Sequence, residues 1–379
     1  MKKIVMLCLS AGIQKTISFT CFAPGEVNRS KSYRYDASGK AINSARVLTQ
    51  LVGGAPEFSA GSASANSPAS GSESTAARED SGAASVSVVC PLGERNKDFF
   101  LEMAAADGLN VKVVPIPGFT RECCTLLDEK SGQTTELVVE EPVPTVDSAS
   151  YEEKLLELLR AELGVDGTSC KAGGDGKHGE RSDNRGEKAD ALLFAGSRPP
   201  FWSAGIVKKI AAMAKDNGIL FMADFRGNDL LSILDEYTPD IIKINEDEFW
   251  ATFGADFAKN AKCTESAPHA NCADSANASA AFQAEQQLVA AITETSRRLN
   301  NIVVVTRGAK ATLAAEKGKP YHSPSERVKA VNTIGCGDAY NAGFLYEYLA
   351  TKDIEKSLKK GKWCASRNAE SLRPGVLHD

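Results

Sequence analysis

The sequence predicts an α/β fold in which an open, mostly parallel β-sheet carries helices on both faces. Short apolar runs recur along the 379-residue chain, and most lack the polar alternation of a half-exposed strand. Strands that are covered on both faces have this composition. Segments with helical periodicity lie between the runs; within residues 151–163, four leucines form one apolar stripe. Such alternation of strands and helices is typical of a parallel sheet.

The first predicted strand lies close to the initial methionine. Its apolar run, residues 4–9, also resembles the start of a signal peptide, but it is short for one, and a buried strand explains it better. The predicted core strands are residues 4–9, 86–90, 191–195, 219–223, 241–244 and 302–306. The predicted helices are residues 151–163, 201–217, 284–300 and 337–350.

A second set of segments is shorter and more alternating, and Gly, Pro or Asp turns divide several of them. They predict a small separate sheet, supplied by two excursions of the chain at about residues 15–36 and 111–139. Its predicted strands are residues 17–22, 27–35, 111–114, 123–128 and 134–138.

Three segments have the composition of surface insertions. Residues 54–84 are dominated by Ser, Ala and Gly, residues 164–190 by Gly and charged side chains, and residues 258–281 by Ala, Asn, Ser and Lys. Such sequences bury too little apolar area to offset the loss of chain entropy. We therefore expect a single domain over residues 1–379, interrupted by three poorly ordered insertions without a catalytic role.

The bulk composition argues against several classes of function. The formal net charge is −5 and no basic cluster forms a stripe, so a nucleic acid partner is not expected. No apolar run is long enough to cross a bilayer, so no membrane partner is expected either. The ten cysteines form no CxxC pair, which favours reduced thiols and a cytoplasmic location. Cys263, His269 and Cys272 come nearest to a metal pattern, but their polar surroundings favour a solvated loop.

The most informative motif lies in residues 331–349, where Gly335 and Gly337 stand directly before Asp338 and a helical segment. Glycines let the backbone turn and expose N–H groups, and a helix N-terminus adds a partial positive charge. An anion hole formed by the amides of Gly335, Cys336 and Gly337, with Asp338 as a base, would suit phosphoryl transfer. A glycine-rich turn with Asp338 as a helix N-cap explains the same residues equally well. The motif is neither a P-loop nor a dinucleotide-binding fingerprint.

Two further motifs are compatible with phosphate chemistry. Gly39 leads into a predicted helix whose first turn carries Lys40 and Asn43, which would suit an anionic substrate with hydroxyl groups. Taken alone, this segment is better explained as a helix start with solvated polar residues. Asn245 and Glu248 follow a buried strand and share one helical face. They could hold a hydrated Mg²⁺, form an N-terminal capping box, or do both.

Together these motifs make the chain resemble the ribokinase / phosphofructokinase-B superfamily of sugar kinases, in particular the branch with 1-phosphofructokinase and tagatose-6-phosphate kinase. Residues 332–338 match its Asp/Asn-Thr-x-Gly-x-Gly-Asp signature, residues 38–45 imperfectly match Gly-Gly-Lys-Gly-x-Asn-x-Ala, and Asn245 with Glu248 match Asn-x-x-Glu. Shorter family segments are matched, in the same order, by residues 24–29, 118–121, 195–200, 306–309 and 366–369.

The resemblance implies a ribokinase-like fold in which the small sheet forms a lid, with ATP and Mg²⁺ as cofactors. By matching position, Asp338 would take the proton from a sugar hydroxyl, while the amides of Gly335, Cys336 and Gly337 would hold the γ-phosphate. Relatives often dimerise through the lid, so a homodimer is an expectation of the same kind.

The resemblance also implies the remaining contacts. Lys40 and Arg121 would bind the phosphate of the sugar itself. The implied substrate-binding residues are Gln14, Gly39, Lys40, Asn43 and Arg121. The implied nucleotide-binding residues are Lys243, Asn245, Thr306, Gly308 and Asn368. Asn245 and Glu248 would order Mg²⁺ through water.

The chain departs from the family pattern mainly on the sugar side of the implied pocket. Gln14 stands where the branch has an aspartate, and it brings an N–H donor and no charge. Ser38 and Ala41 replace signature glycines, and a Cβ there demands a different backbone. The catalytic side follows the family more closely.

The leading hypothesis is an ATP- and Mg²⁺-dependent kinase of a phosphorylated hexose, of the fructose 1-phosphate or tagatose 6-phosphate type. Lys40 and Arg121 motivate it because they suit a substrate that is already anionic. One alternative, motivated by the departures from the family, is a catalytically weak relative that binds sugar phosphates. Another is a kinase of an unphosphorylated sugar or nucleoside, which would require both cations to point away from the pocket.

Overall fold

The computed structural model describes residues 2–30, 32–53, 84–140, 143–165, 187–258 and 273–377. The strands within these ranges are β1 (Lys2–Leu7), β2 (Gly12–Phe19), β3 (Ser32–Ser38), β4 (Ala84–Gly93), β5 (Val111–Ile116), β6 (Glu122–Asp128), β7 (Gln133–Leu137), β8 (Ala191–Ala195), β9 (Leu220–Asp224), β10 (Ile241–Asn245), β11 (Ile302–Thr306), β12 (Thr312–Glu316) and β13 (Lys319–Ser323). The helices are α1 (Lys40–Gly53), α2 (Lys97–Ala106), α3 (Ala149–Leu163), α4 (Gly205–Asp216), α5 (Gly227–Leu231), α6 (Glu246–Ala258), α7 (Ala273–Leu299), α8 (Cys336–Thr351) and α9 (Ile354–Ala369).

The main sheet contains nine strands in the order β13-β12-β11-β10-β9-β8-β1-β4-β5. Neighbours from β11 to β5 run parallel, and β12 and β13 add an antiparallel edge. Alternate residues of β1 enter two apolar cores. Val5 and Leu7 pack with residues of α3, α4, α6 and α7, whereas Ile4 and Met6 pack with residues of α1, α2, α8 and α9. The predicted open, mostly parallel sheet with helices on both faces is confirmed.

The smaller sheet, which we call the lid, has the strand order β3-β2-β6-β7. Strand β2 pairs in parallel with β6, and the other neighbours are antiparallel. Gln14 on β2 is flanked by Asp36 and Cys123 on the adjacent strands, and all three are buried. The next residue, Lys15, points to the opposite face and is more exposed. One face of the lid is therefore turned toward the main domain.

The lid boundaries differ from the prediction in two places. Residues 111–116 do not belong to the lid, because they form β5 and pair in parallel with β4 at the edge of the main sheet. The second excursion supplies only β6 and β7. The strand predicted at residues 27–35 begins at Ser32 instead, because Asn28 closes a turn by accepting the Ala23 N–H at 2.8 Å.

Other elements extend or replace the predicted ones. Helix α2 was not predicted, because only Phe100 and Ala104 on it are buried and its apolar stripe is narrow. The short strands β12 and β13 were not predicted either. Helix α7 begins at Ala273, so residues 273–281 are helical and not part of a loop.

Most of the three predicted insertions lies outside the described residues, namely residues 54–83, 166–186 and 259–272. Cys263, His269 and Cys272 lie there too.

Within the part of the chain that the structure describes, no helix combines the length and the apolar composition that a membrane span requires.

The contact between α8 and α9 leaves no room for a side chain at Gly343. A Cβ built there would lie 2.6 Å from both the Cys364 Sγ and the Lys360 carbonyl oxygen. We expect Gly343→Ala to lower the free energy of unfolding by about 1–3 kcal/mol, because a packed core cannot absorb the extra atom. The control is Gly254→Ala in α6, where the added Cβ would meet only Trp250, 3.6 Å away.

Gly254→Ala should leave the stability unchanged or raise it by up to about 1 kcal/mol, since alanine restricts the unfolded chain and favours a helix. Urea denaturation of both variants measures the difference. A Gly343→Ala protein that is as stable as the wild type would show that the two helices do not pack as described.

Candidate active site

A cleft of about 530 Å³ opens where the carboxyl ends of the parallel strands face the lid. Open α/β sheets bind ligands at this edge. Most of the site residues predicted from the sequence line the cleft. They are Gln14, Gly39, Lys40, Asn43, Arg121, Lys243, Asn245, Glu248, Thr306, Gly335, Gly337 and Asp338. Gly308, Cys336 and Asn368 are not among the lining residues.

The glycine-rich loop turns sharply into helix α8. Gly335 has a φ of 78°, in the left-handed region, and a Cβ there would lie 2.9 Å from the Pro374 Cβ. The helix starts at Cys336, so the first-turn amides of Gly337 and Asp338 have no acceptor within the helix. The Cys336 N–H donates to the Thr333 carbonyl at 3.3 Å. The helix start thus presents the amides of Gly337 and Asp338 to the cleft. The Cys336 amide, which was predicted to bind the phosphate, is already bonded to Thr333.

Asp338 is buried in the first turn of α8 and is not the N-cap. Gly335 occupies the N-cap position, so the alternative interpretation of Asp338 as a cap is wrong. One carboxylate oxygen, Oδ2, accepts a hydrogen bond from the Asn43 side-chain amide at 2.8 Å. Burial and the nearby Asp224 carboxylate raise the pKa of Asp338 to about 6, against the opposing effects of Lys40, Asn43 and Lys243. A carboxylate with this pKa is ionised at neutral pH and still basic enough to take a proton.

Asp224, at the end of β9, was missed from the sequence and is the most buried carboxylate of the site. Its Oδ1 accepts from the Lys40 ammonium at 2.9 Å, and its Oδ2 lies 3.2 Å from the Lys243 ammonium. Burial alone would raise the pKa of Asp224, but Lys243 and Lys40 outweigh it, and that pKa lies well below its ordinary value. The sequence did contain a signal, because an aspartate directly after a buried strand falls at the ligand-binding edge.

Lys40 lines the cleft, and its ammonium lies beside carboxylates. Besides its contact with Asp224, its ammonium lies 3.9 Å from the Glu248 carboxylate. Burial would lower the pKa of Lys40, but Asp224, Glu248 and Asp338 raise it above its ordinary value, so the group stays charged. Lys40 therefore belongs to the end of the cleft that contains the carboxylates of Asp224 and Asp338.

Lys243 is the second cation at this end. Its ammonium approaches the start of α8 so closely that a Cβ on Gly337 would lie 2.9 Å from it. The predicted placement of Lys243 near ATP is compatible with this position. Two ammonium groups and the amides of a helix start thus border the same volume as Asp338.

The lid side of the cleft contains Gln14 and Arg121. The Gln14 amide donates to the Thr125 hydroxyl at 2.8 Å, which fixes its orientation. The Arg121 guanidinium donates from Nη2 to the Ser10 carbonyl at 3.3 Å, whereas its buried Nε has no hydrogen-bond partner among the described residues. A buried donor without a partner is unfavourable in the empty protein and is suited to an anionic ligand.

Asn245 and Glu248 form the capping box that the sequence predicted. The Asn245 N–H donates to Glu248 Oε2 at 3.0 Å, and the Glu248 N–H donates to Asn245 Oδ1 at 2.8 Å. Each oxygen keeps a further lone pair. Within the described residues no cluster of three acidic, His or Cys side chains forms a metal cage. These oxygens are of the type that suits a hydrated Mg²⁺ held through water.

Three of the predicted nucleotide contacts have different surroundings. Thr306 lines the cleft at the end of β11, and Gly308 is exposed in the turn that follows. Asn368 is fully buried; its amide donates to the Ile334 carbonyl at 2.8 Å and its Oδ1 accepts the Gly375 N–H at 2.6 Å. Asn368 thus supports the glycine-rich loop from behind.

Comparison with known proteins gives a consistent result. The family model described as pfkB family carbohydrate kinase matches residues 174–375. A tagatose-6-phosphate kinase of Staphylococcus epidermidis is 23% identical over 265 residues, which cover 69% of this chain and 68% of the relative. An ATP-dependent 6-phosphofructokinase isozyme 2 of Mycobacterium tuberculosis is 23% identical over 376 residues, covering 99% of this chain and 85% of the relative.

Among solved structures, phosphofructokinase-2 from Escherichia coli in complex with potassium is similar over its whole length. The TM-score is 0.70 at 16% identity, and the superposition covers 100% of this chain and 96% of the other. At such low identity the likeness establishes the fold alone. The expected ribokinase-like fold is confirmed.

The raised pKa of Asp338 makes stability depend on pH in a defined direction. This pKa is about 6 in the folded protein and about 4 in an unfolded chain. Between these values the folded state binds more protons, so the free energy of unfolding falls as the pH rises. Asp338→Asn removes this effect. We expect the variant to be more stable than the wild type at pH 8, by at most about 3 kcal/mol, and the advantage to shrink toward pH 4.

Urea denaturation of both proteins without ligands, at pH 4, 6 and 8, measures this difference. The same difference at all three pH values would show that Asp338 is not a buried carboxylate with a raised pKa.

Proposed function

Because the chain belongs to the pfkB family of carbohydrate kinases, and is therefore a kinase, we propose that it phosphorylates a hexose phosphate with ATP. The substrate would be of the fructose 1-phosphate or tagatose 6-phosphate type. The observation that carries this proposal is that charged side chains lie on two opposite sides of one cleft. Asp338 lies at the start of α8 with the ammonium groups of Lys40 and Lys243, and the partly unpartnered guanidinium of Arg121 lies on the lid side.

Asp338 would act as the base. In the proposed step the oxygen of a sugar hydroxyl attacks the γ-phosphorus of ATP, and the bond from that phosphorus to the bridging oxygen breaks. The hydroxyl proton passes to the Asp338 carboxylate, and ADP leaves with the electron pair of the broken bond. The Asn43 side chain, which donates to Asp338, would orient both the base and the attacking hydroxyl. Most of the catalysis would come from positioning and charge stabilisation.

Negative charge on the transferred group would be stabilised from two directions. The amides of Gly335 and Gly337 would approach it at the helix N-terminus, where the partial positive charge is greatest, whereas the Cys336 N–H already donates to the Thr333 carbonyl. Lys40 at the start of α1 and Lys243 on β10 would approach it as well, and both ammonium groups contact the Asp224 carboxylate. Donors that are oriented before the reaction need little reorganisation during it.

The nucleotide would lie along Lys243, Asn245 and Thr306, at the ends of β10 and β11. Asn245 and Glu248 would hold Mg²⁺ through water, and when bound the ion would neutralise phosphate charge. Gly308 and Asn368 would border or support this region without entering the cleft. The lid would contribute Gln14 and Arg121 to the sugar, and Gly39 would let the backbone pass close to it.

A second candidate is a kinase of an unphosphorylated sugar. One observation favours it: Lys40 is paired with Asp224, so only Arg121 of the two predicted cations is available to a phosphate on the sugar.

We also propose a homodimer through the outward face of the lid, where Tyr33 and Leu137 are 67% and 51% exposed.

The proposal is tested by coupled ADP release with a panel of sugars and sugar phosphates. We expect turnover with a phosphorylated ketohexose. We also expect Arg121→Met to weaken binding of that substrate about 10- to 100-fold, the usual effect of losing a hydrogen-bonded charge. The KM for ATP should stay within about twofold of the wild-type value, because Arg121 is assigned no contact with the nucleotide.

The control is Arg95→Met, which removes an exposed cation packed on Phe119, outside the residues that line the cleft. Its substrate affinity should equal that of the wild type. Turnover with free sugars or nucleosides and none with any ketohexose phosphate would contradict the substrate class, as would an Arg121→Met enzyme of unchanged affinity.

A further inference from the structure

Behind the active site lies a buried ion cluster, which we define as Asp36, Arg46, Asp107 and Arg373. All four side chains belong to residues that are at most 9% exposed. Arg373 donates to Asp36 Oδ1 at 2.7 Å and to both oxygens of Asp107, and Arg46 donates from Nε to Asp107 Oδ2 at 2.8 Å. The cluster joins strand β3 of the lid, the end of α2, helix α1 and the C-terminal segment, and its formal charge is zero.

Arg46 is the member of the ion cluster that reaches toward the cleft. It donates to Asp107, to the carbonyl oxygens of Ala37 and Pro374, and from Nη1 to the Asn43 Oδ1 at 3.1 Å. A guanidinium has five N–H donors and no acceptor, so it can bind only the oxygen of an asparagine side chain. The position of Arg46 therefore determines which way the Asn43 amide faces.

This orientation matters because the other end of the Asn43 side chain meets the base. With its oxygen held by Arg46, Asn43 presents its NH₂ group to Asp338 Oδ2 at 2.8 Å. In the reversed orientation two acceptor oxygens would face each other. A donor bonded to a carboxylate favours the charged form, and loss of that donor favours the protonated form.

We propose that Arg46 is a positioning residue for the phosphoryl transfer: it orients the Asn43 side chain so that its amide donates to Asp338. The inference rests on the proposed function, in which Asp338 is the base. The other charged or titratable groups that face Asp338 are Lys40 on α1, Asp224 at the end of β9, Lys243 on β10 and Cys336 on its own helix. None of these four groups donates a hydrogen bond to the Asp338 side chain in the described structure, so Asn43 supplies the directional contact.

The test compares Arg46→Lys with Arg373→Lys. Both variants keep the charge of the ion cluster and lose guanidinium hydrogen bonds, so both should be less stable than the wild type. A lysine at position 46 can remain paired with Asp107 but cannot also hold the Asn43 oxygen. A lysine at position 373 leaves the contact between Arg46 and Asn43 intact.

We expect Arg46→Lys to move the acid limb of the pH profile of kcat upward by about one pH unit, because one hydrogen bond to the charged base is lost. The same shift should appear in the pH titration of the Asp338 carboxyl carbon, followed by NMR without ligands and assigned by the signal missing in Asp338→Asn. Arg373→Lys should retain the wild-type limb and titration. An unshifted limb and titration in folded Arg46→Lys, or equal shifts in both variants, would overturn the proposal.

Two variants at Asn43 test the same point with the ion cluster intact, even if Arg46→Lys does not fold. Asn43→Ala removes the donor. Asn43→Asp supplies a carboxylate that Arg46 would hold by one oxygen, so that the other oxygen faces Asp338 and repels it. We expect the Asp338 titration of Asn43→Asp to lie above that of Asn43→Ala. If it lies level with or below that of Asn43→Ala, the side chain that Arg46 holds at position 43 does not face Asp338, which would overturn the proposal.

The outcomes separate this inference from the proposed function. If no sugar is phosphorylated, or if Asp338→Asn keeps its turnover, the proposed function fails, but the NMR titrations still report whether Arg46 orients Asn43. If turnover depends on Asp338 and the Arg46→Lys profile is unshifted, only the inference fails.

Discussion

Two buried carboxylates and the two lysines that compensate them determine the arrangement of the cleft. Asp224 lies close enough to Asp338 that its charge raises the pKa of Asp338, and burial penalises the charge of both. Lys40 and Lys243 bind Asp224 directly and leave Asp338 with the donor of Asn43 as its hydrogen-bond partner. The two carboxylates therefore have different roles: Asp224 stays charged and holds the two ammonium groups, whereas Asp338 can take up and release a proton.

The fold brings these groups together by a simple rule of parallel sheets. Asp224 ends β9 and Lys243 lies near the end of β10, so adjacent strands deliver them to one edge. Lys40 and Asp338 stand in the first turns of α1 and α8, which pack on the same face of the sheet. Helix starts place amides and side chains together, and the lid then covers the edge from the outside. The backbone has a positive φ at two glycines that line the cleft, Gly39 and Gly335, and glycine adopts this conformation without a steric penalty.

Much of this could be predicted from the sequence, and the remainder depends on contacts between distant segments. Buried strands and the glycine-rich turn are local patterns, so the sheet and the helix that carries Asp338 were predicted correctly. The partner of Lys40 was not, because a lysine at a helix start can bind a ligand or a neighbouring carboxylate, and Asp224 lies 184 residues away. Asn368 was placed near the nucleotide by family likeness, whereas its side chain binds the backbone of two loops. Strand β5 was assigned to the wrong sheet because a short apolar run does not reveal its neighbour.

In the proposed mechanism Asp338 is the base of a phosphoryl transfer, and the turnover of Asp338→Asn tests this role. The measurement is kcat on the preferred sugar substrate, together with calorimetric binding of that substrate to the same protein. Asparagine keeps the shape of the side chain but cannot accept the proton. We predict a loss of kcat of about 10²–10⁴-fold, the usual contribution of a general base, with the affinity for the sugar within a few-fold of the wild type. A variant that binds its substrate and turns it over at the wild-type rate would show that Asp338 is not the base.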